Sequence, residues 1–288
     1  MGERKTSPCV VVGIDGSRSA MDAALWAADE ALSRDIPLRL VYAIDPESSS
    51  GSDTQAAARD LATAEIAIRQ AFMAVESTDK PVKIEVEILQ DRPVRALREA
   101  SRWAAMLCVG SLGLKHSSHG RIGSTAAALA TSAHCPTAIV HAHRPPPAEQ
   151  GWVVAEVNES HSSDGALRRA VEEARLRQAP LRVLTTWQSR YTDIHDNHAI
   201  ADGNRLAKAG LERRLAEWRS RYPDLDVEAV AVHGNLMNYL AKHAKSIQLL
   251  VTAHDRAHGI TELLGPAGSA TLRDSNCSVL ICEPQNVL

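Results

Sequence analysis

The sequence predicts an α/β fold written twice: two tandem domains, each a doubly wound, five-stranded parallel sheet. Three observations carry that prediction. The chain repeats itself: Pro37-Leu-Arg-Leu-Val-Tyr-Ala43 returns 143 positions later as Pro180-Leu-Arg-Val-Leu-Thr-Thr186. Ala23–Ala31 is answered by Ala166–Ala174 at the same offset, and Cys135–Val140 by Cys277–Cys282 at an offset of 142. Solenoid periods run only about 20–50 residues, so this repeat marks duplicated domains. The length, 288 residues, accommodates two domains of about 150 residues each. Within each half, short apolar runs alternate with helical spacing, the order that builds a parallel sheet covered on both faces.

The elements of the first half follow in turn. Cys9-Val-Val-Val-Gly-Ile14 is an apolar run suited to a fully buried parallel strand. Ser19–Ser33 has helical periodicity, with Met21, Ala24, Leu25, Ala28 and Leu32 on one face. Leu38–Ile44 is the second strand, and Ala56–Val75 a long helix beyond a polar Ser/Gly stretch. Val82–Leu89 alternates apolar residues with Lys and Glu, as a half-exposed edge strand does. Arg95–Ala105 reads as helix, Met106–Val109 as a buried strand, Thr125–Ser132 as helix and Ala138–Val140 as the last strand. The second half repeats this order from Trp152 to Cys282. The expected domains are 1–143 and 152–288, joined by a linker over 144–151 in which Pro145-Pro-Pro147 favours extended, semi-rigid backbone.

Composition excludes several classes of function. Thirty-two basic against 35 acidic residues give a formal charge of −3, so the whole chain carries no electrostatic footprint for nucleic acid. One Phe, four Tyr and five Trp leave few platforms for stacking bases. No run approaches the ~18 apolar residues of a membrane span, and no secretory apolar region precedes Cys9. The five cysteines form no CxxC pair, and Cys9, Cys108 and Cys282 adjoin apolar runs. They read as small buried hydrophobes of a reducing compartment, which makes a cytoplasmic location the expectation.

Open α/β sheets bind ligands beyond the carboxyl ends of their strands, where strand order reverses, here between strands one and four. Strand one runs out in Val12-Gly-Ile-Asp-Gly-Ser17 and strand four in Val109-Gly-Ser-Leu-Gly113, with Gly123-Ser124 opening the next helix. The spacing is Gly110-x2-Gly113-x9-Gly123-Ser124. Glycines let backbone approach a polyphosphate, and a helix start offers N–H groups and a hydroxyl to an anion. Lys115 and Arg121, inside the same loop, add positive charge. Gly-x-Ser-x-Gly and the Walker pattern are both absent, and Asp15 is the sole carboxylate near these loops. No catalytic residue is therefore assigned. His254-x3-His258 and His195-x2-His198 lack companion cysteines and read as solvated loop residues, so no metal site is expected from them.

On the repeated strand-helix order of both halves, with the strand end Val-Gly-Ile-Asp-Gly-Ser and the Gly-x2-Gly-x9-Gly-Ser spacing kept in the first, both halves resemble universal stress protein domains, in the tandem form common in actinobacteria. The resemblance covers nearly the whole chain and implies the adenine nucleotide α-hydrolase-like strand order 3-2-1-4-5. It implies ATP as ligand, with Mg2+ as an optional companion. By position, Gly13 and Asp15 would sit beside the nucleoside, and Ala43 would meet adenine through its backbone. Gly110, Gly113, Gly123 and Ser124 would hold ribose and phosphates, with Thr125 beside them. After Gly113 this chain departs from many relatives, carrying Leu114-Lys-His-Ser-Ser-His119 in place of small or Arg/Gly residues. The resemblance further implies a nucleotide-dependent stress-response regulator whose halves pair through their last strands, with a homodimer of chains as a further level. A nucleotide-independent scaffold and a slow ATP-hydrolysing enzyme of the same fold are the competing readings.

The second half reads as eroded. By the repeat offset Gly13 becomes Glu156, Asp15 becomes Asn158, Gly110 becomes Thr252, Gly113 becomes Asp255 and Ser124 becomes Pro266, while Gly123 persists as Gly265. Carboxylates at Glu156 and Asp255 would repel phosphate. One ATP per chain, in the first half, is expected.

Overall fold

A computed structural model describes residues 8–47, 54–114, 122–141, 151–158, 162–188, 197–255, 259–275 and 277–282. Contacts divide the chain into two units, Met1–His143 and Arg144–Leu288. In the first, strands β1 (Cys9–Ile14), β2 (Leu38–Ile44), β3 (Ile84–Gln90), β4 (Ala104–Gly110) and β5 (Thr137–Val140) lie parallel in the order β3-β2-β1-β4-β5. The strand reversal thus falls between β1 and β4, where the sequence places it.

Helices α1 (Arg18–Ser33), α2 (Thr54–Glu76), α3 (Pro93–Ala100) and α4 (Ser124–Ser132) make the crossovers. The first two crossovers run toward β3 and the last two toward β5. Right-handed connections therefore put α1 and α2 on one face of the sheet and α3 and α4 on the other, and the helices contact one another in these pairs.

Beyond shifts of one or two residues at element ends, such as β3 starting at Ile84 and not Val82, two details differ from the sequence reading. Helix α3 ends at Ala100, a 3-10 turn spans Ser101–Trp103, and Ala104 and Ala105 already belong to β4. Ser101 explains the stop: its hydroxyl donates to the Arg98 carbonyl and accepts the His134 N–H, tying the chain to the segment before β5. The buried face of α1 is also rotated. Ala20, Ala23, Ala24, Ala27, Ala28 and Ala31 face the core, while Leu32 is exposed and Met21 and Leu25 lie at the flanks. Alanines let the helix axis approach β1 and β4 closely, which longer side chains would prevent.

The second unit repeats the plan in β6 (Trp152–Glu156), β7 (Leu181–Trp187), β8 (Val227–His233), β9 (Ile247–Ala253) and β10 (Ser278–Cys282), ordered β8-β7-β6-β9-β10 and all parallel. Helices α5 (Ser162–Leu176), α6 (Asn197–Arg221) and α7 (Leu236–Lys242) correspond to α1–α3. Between β9 and β10 this unit has two helices, α8 (Gly259–Leu264) and α9 (Pro266–Ser275). Even an ion pair with a buried carboxylate is duplicated: Glu30 of α1 with Arg34 just past its end, and Glu173 of α5 with Arg177 just past its end.

All five cysteines are buried thiols. Burial pushes Cys277 and Cys282 up to about 12 and raises Cys9 as well. Since the thiolate is the reactive form, a disulfide reagent at pH 8 is expected to find no reactive thiol in the native chain and all five after denaturation. Rapid native labelling of any one would contradict this.

Candidate functional site

The residues after β1, β2 and β4 and the first turn of α4 converge on one cavity of about 490 Å3 in the first unit. Gly13, Asp15, Ala43, Gly110, Gly113, Gly123, Ser124 and Thr125 all line it. Lys115 and Arg121 fall outside the described residues.

Each wall has a local cause. Gly110 ends β4 directly under the first turn of α1; a Cβ there would lie 2.5 Å from the Ser19 carbonyl carbon and 2.7 Å from the Ala20 nitrogen. Only glycine permits that approach. Asp15 works as a bracket between two loops. Its Oδ1 accepts the Ser17 N–H at 2.9 Å and its Oδ2 accepts the Leu114 N–H at 3.4 Å. Gly123 donates its N–H to the Ser111 carbonyl at 2.8 Å, which folds the end of the β4 loop back against its start. Gly123 is also the N-cap of α4 and supplies no capping side chain, so the first N–H groups of that helix are left without a side-chain cap where they border the cavity.

The opposite wall was not legible in the sequence. Pro93 and Leu97 of α3 enclose the Gly13–Ala43 end, and Tyr42, Ile44, Asp45, Asp60 and Thr63 extend the lining toward α2. Burial, together with the Asp15 and Asp60 carboxylates, pushes the Tyr42 phenol above its ordinary value. The mid-helix position of Asp60 carries no motif, and only the pairing of α2 with β2 brings it here.

The same region of the second unit is nearly closed, a cavity of about 10 Å3 lined by Glu156, Asn158, Ser163, Thr186 and Thr252 among others. Strand register corrects part of the residue correspondence. Val12 lies opposite Cys108, and Ala155 opposite Val251, so β4 and β9 differ by the same 143 positions as β1 and β6. Gly110 therefore corresponds to Ala253, not to Thr252, and Gly113 to a residue outside the described ones, not to Asp255. The shift to 142 occurs further on: Gly110 pairs with Val140, whereas Ala253 pairs with Cys282. One residue has been lost from the crossover between the fourth and fifth strands.

What fills the second cleft is specific. Thr252, at the position of Val109, donates its hydroxyl to Glu156 Oε2 at 2.8 Å, and both side chains are buried. Glu156 thus closes the cleft by occupying it, satisfied by a neighbour, and not by facing phosphate. Trp187, at the position of Ile44, lays its indole on Gly203, at the position of Asp60, where a Cβ would overlap the ring. Its Nε1 donates to Asn204 Oδ1 at 2.8 Å, and the ring packs on His233 with centroids 4.8 Å apart. The start of α9 is covered too. Its first residue, Pro266, has no N–H; Gly265 donates to the Thr261 carbonyl at 2.8 Å, and Ser269 Oγ to that of Leu264 at 2.7 Å, both within α8.

Comparison with known proteins agrees with the duplicated architecture. The universal stress protein family model matches residues 9–141 and again 153–283. A universal stress protein of Mycobacterium tuberculosis (strain ATCC 25618 / H37Rv) is 47% identical, the match covering 99% of each chain. A second from the same organism is 44% identical over 96% of this chain and 100% of its own. The crystal structure of a universal stress protein from Archaeoglobus fulgidus DSM 4304 shares the fold, with a TM-score of 0.67 at 14% identity over 96% of this chain and 97% of that one. Among the described residues no helix is long and apolar enough to cross a membrane, and no group of three or more His, Cys, Asp or Glu side chains is placed to hold a metal ion.

Proposed function

The chain belongs to the universal stress protein family, and on that premise we propose that it is a nucleotide-dependent stress-response regulator that binds ATP in its first domain alone. The observation that carries this reading is the contrast between a cavity of about 490 Å3 in one domain and about 10 Å3 at the equivalent place in the other. ATP requires the first kind of space.

In this reading adenine lies against the backbone of Ala43 between Gly13 and Leu97, and Asp15 stands beside the ribose. Gly110, Gly113 and Gly123 supply the close backbone approach. The uncapped start of α4 at Ser124 and Thr125 takes the phosphates, as helix N-termini take anions. Asp15, Asp45 and Asp60 on the walls would make a bare polyphosphate costly. That donor chemistry supports Mg2+ as a companion of the nucleotide, with Lys115 and Arg121 as further counter-charge.

The second domain, on this proposal, is the structural partner of the first, paired with it through the last strands β5 and β10, each at the end of its own sheet order. The pair acts in the cytoplasm and assembles into homodimers. The nucleotide acts as a switch: its differential affinity for one arrangement of the β4–α4 loop changes the surface that a partner meets.

Calorimetric titration of the full chain, cleared of carried-over nucleotide, is expected to give one ATP per chain. Two would refute the assignment to the first domain alone, and none would favour the scaffold reading. Rapid turnover of the added ATP would favour the enzyme.

A further inference from the structure

Three side chains at alternate positions, Asp15, Ser17 and Ser19, hold the same short segment of the β4 loop. Asp15 accepts the Leu114 N–H at 3.4 Å. Ser17 Oγ donates to the Leu112 carbonyl at 3.3 Å while accepting the Ala20 N–H at 3.1 Å as the N-cap of α1. Ser19 Oγ accepts the Leu112 N–H at 3.3 Å and donates to the Val140 carbonyl at 3.4 Å. Each hydroxyl thus uses its single donor and one acceptor site without conflict. Leu112 is gripped through both its N–H and its carbonyl, and it directly precedes Gly113. The Val140 carbonyl also takes the Ser111 N–H at 2.8 Å, which anchors the segment to the end of β5.

Asp15 and Ser17 line the cavity; Ser19 does not. Any effect of the Ser19 side chain on a ligand must pass through the backbone it holds, directly at Leu112 or through Val140 at Ser111. We propose that Ser19 is a positioning residue of the nucleotide site, fixing the Leu112–Gly113 backbone in advance so that it receives the phosphates. The proposal rests on the ATP reading above. Preorganisation of this kind lowers the ordering cost of binding. It concerns only the part of the ligand that meets the β4 loop, because Ala43, Leu97 and Gly13 form the other end of the cavity.

The test compares ATP with adenosine, by calorimetry, on the full chain and on Ser19→Ala and Ser19→Thr. Ser19→Ala is expected to raise the Kd for ATP about three- to tenfold, the range set by one or two lost hydrogen bonds, and to leave the Kd for adenosine unchanged. Ser19→Thr keeps the hydroxyl and should restore most of the ATP affinity. An unchanged Kd for ATP, or equal weakening toward both ligands, overturns the positioning role. Ser19→Cys, which keeps the volume and weakens both bonds, should show the same split at smaller size if the alanine chain folds poorly. A wild-type chain that binds neither ligand overturns the ATP reading itself, and this role with it.

Discussion

Gly13→Glu is expected to abolish ATP binding, with a loss of at least about a hundredfold in affinity, and to destabilise the first domain by about 2–4 kcal/mol. The substitution installs in the open cleft the residue that the closed cleft carries at the same register, Glu156. A Cβ at Gly13 would meet Leu97 Cδ1 at 2.7 Å, a contact a side chain can relieve by moving. The carboxylate is the larger problem. In the second domain Thr252 satisfies it; in the first the corresponding residue is Val109, which offers no donor. The double variant Gly13→Glu/Val109→Thr should therefore recover much of the lost melting temperature and none of the ATP affinity. Titration and thermal melting of the three chains would separate the two effects. A double variant that binds ATP like the wild type would sink the claim that this position decides which cleft is open.

The second large effect is expected at Gly110→Ala. A methyl group there would sit 2.5–2.7 Å from backbone atoms of Ser19 and Ala20, and backbone at the start of a helix has no rotamer to yield. Overpacking of this kind costs about 1–3 kcal/mol. The displacement also falls on the turn that carries Ser17 and Ser19, so ATP affinity should drop by about tenfold or more, the equivalent of about 1.4 kcal/mol. The second domain does hold alanine here, at Ala253, but its first loop is braced otherwise, with Ser163 Oγ accepting the Asn158 N–H at 3.0 Å. A Gly110→Ala chain with unaltered melting and ATP titration curves would show that α1 does not bear on the end of β4 as described.

The sheet is readable from sequence because parallel strands buried on both faces are written as near-continuous apolar runs: Cys9–Ile14 is one, and Leu38–Ile44 is broken only by Arg39. Helix faces were less readable. Periodicity marks where apolar residues recur, but in α1 close packing selects mainly the small ones, and Leu32, on the apolar face by spacing, is exposed. The glycines that line the cavity are legible because their spacing after the proper strands has a chemical meaning. Tyr42, Asp60 and Leu97 were missed because their place on the cavity wall comes from helix-on-sheet packing, which leaves no local mark. The one-residue slip at Gly110 has the same character: aligned halves do not reveal on which side of a loop a deletion lies, whereas strand register does.

The blocked second cleft has a consequence for dose. Two open clefts in one chain would allow the first occupancy to alter the second, and so permit a threshold in the response to nucleotide. If ATP binds as proposed, a chain whose other cleft is filled by Trp187 and Glu156 offers one occupancy, and by itself it should saturate as a simple hyperbola. Any sharper response would then have to come from contacts between chains or with a partner, and a steep titration of the isolated monomer would count against a single nucleotide site.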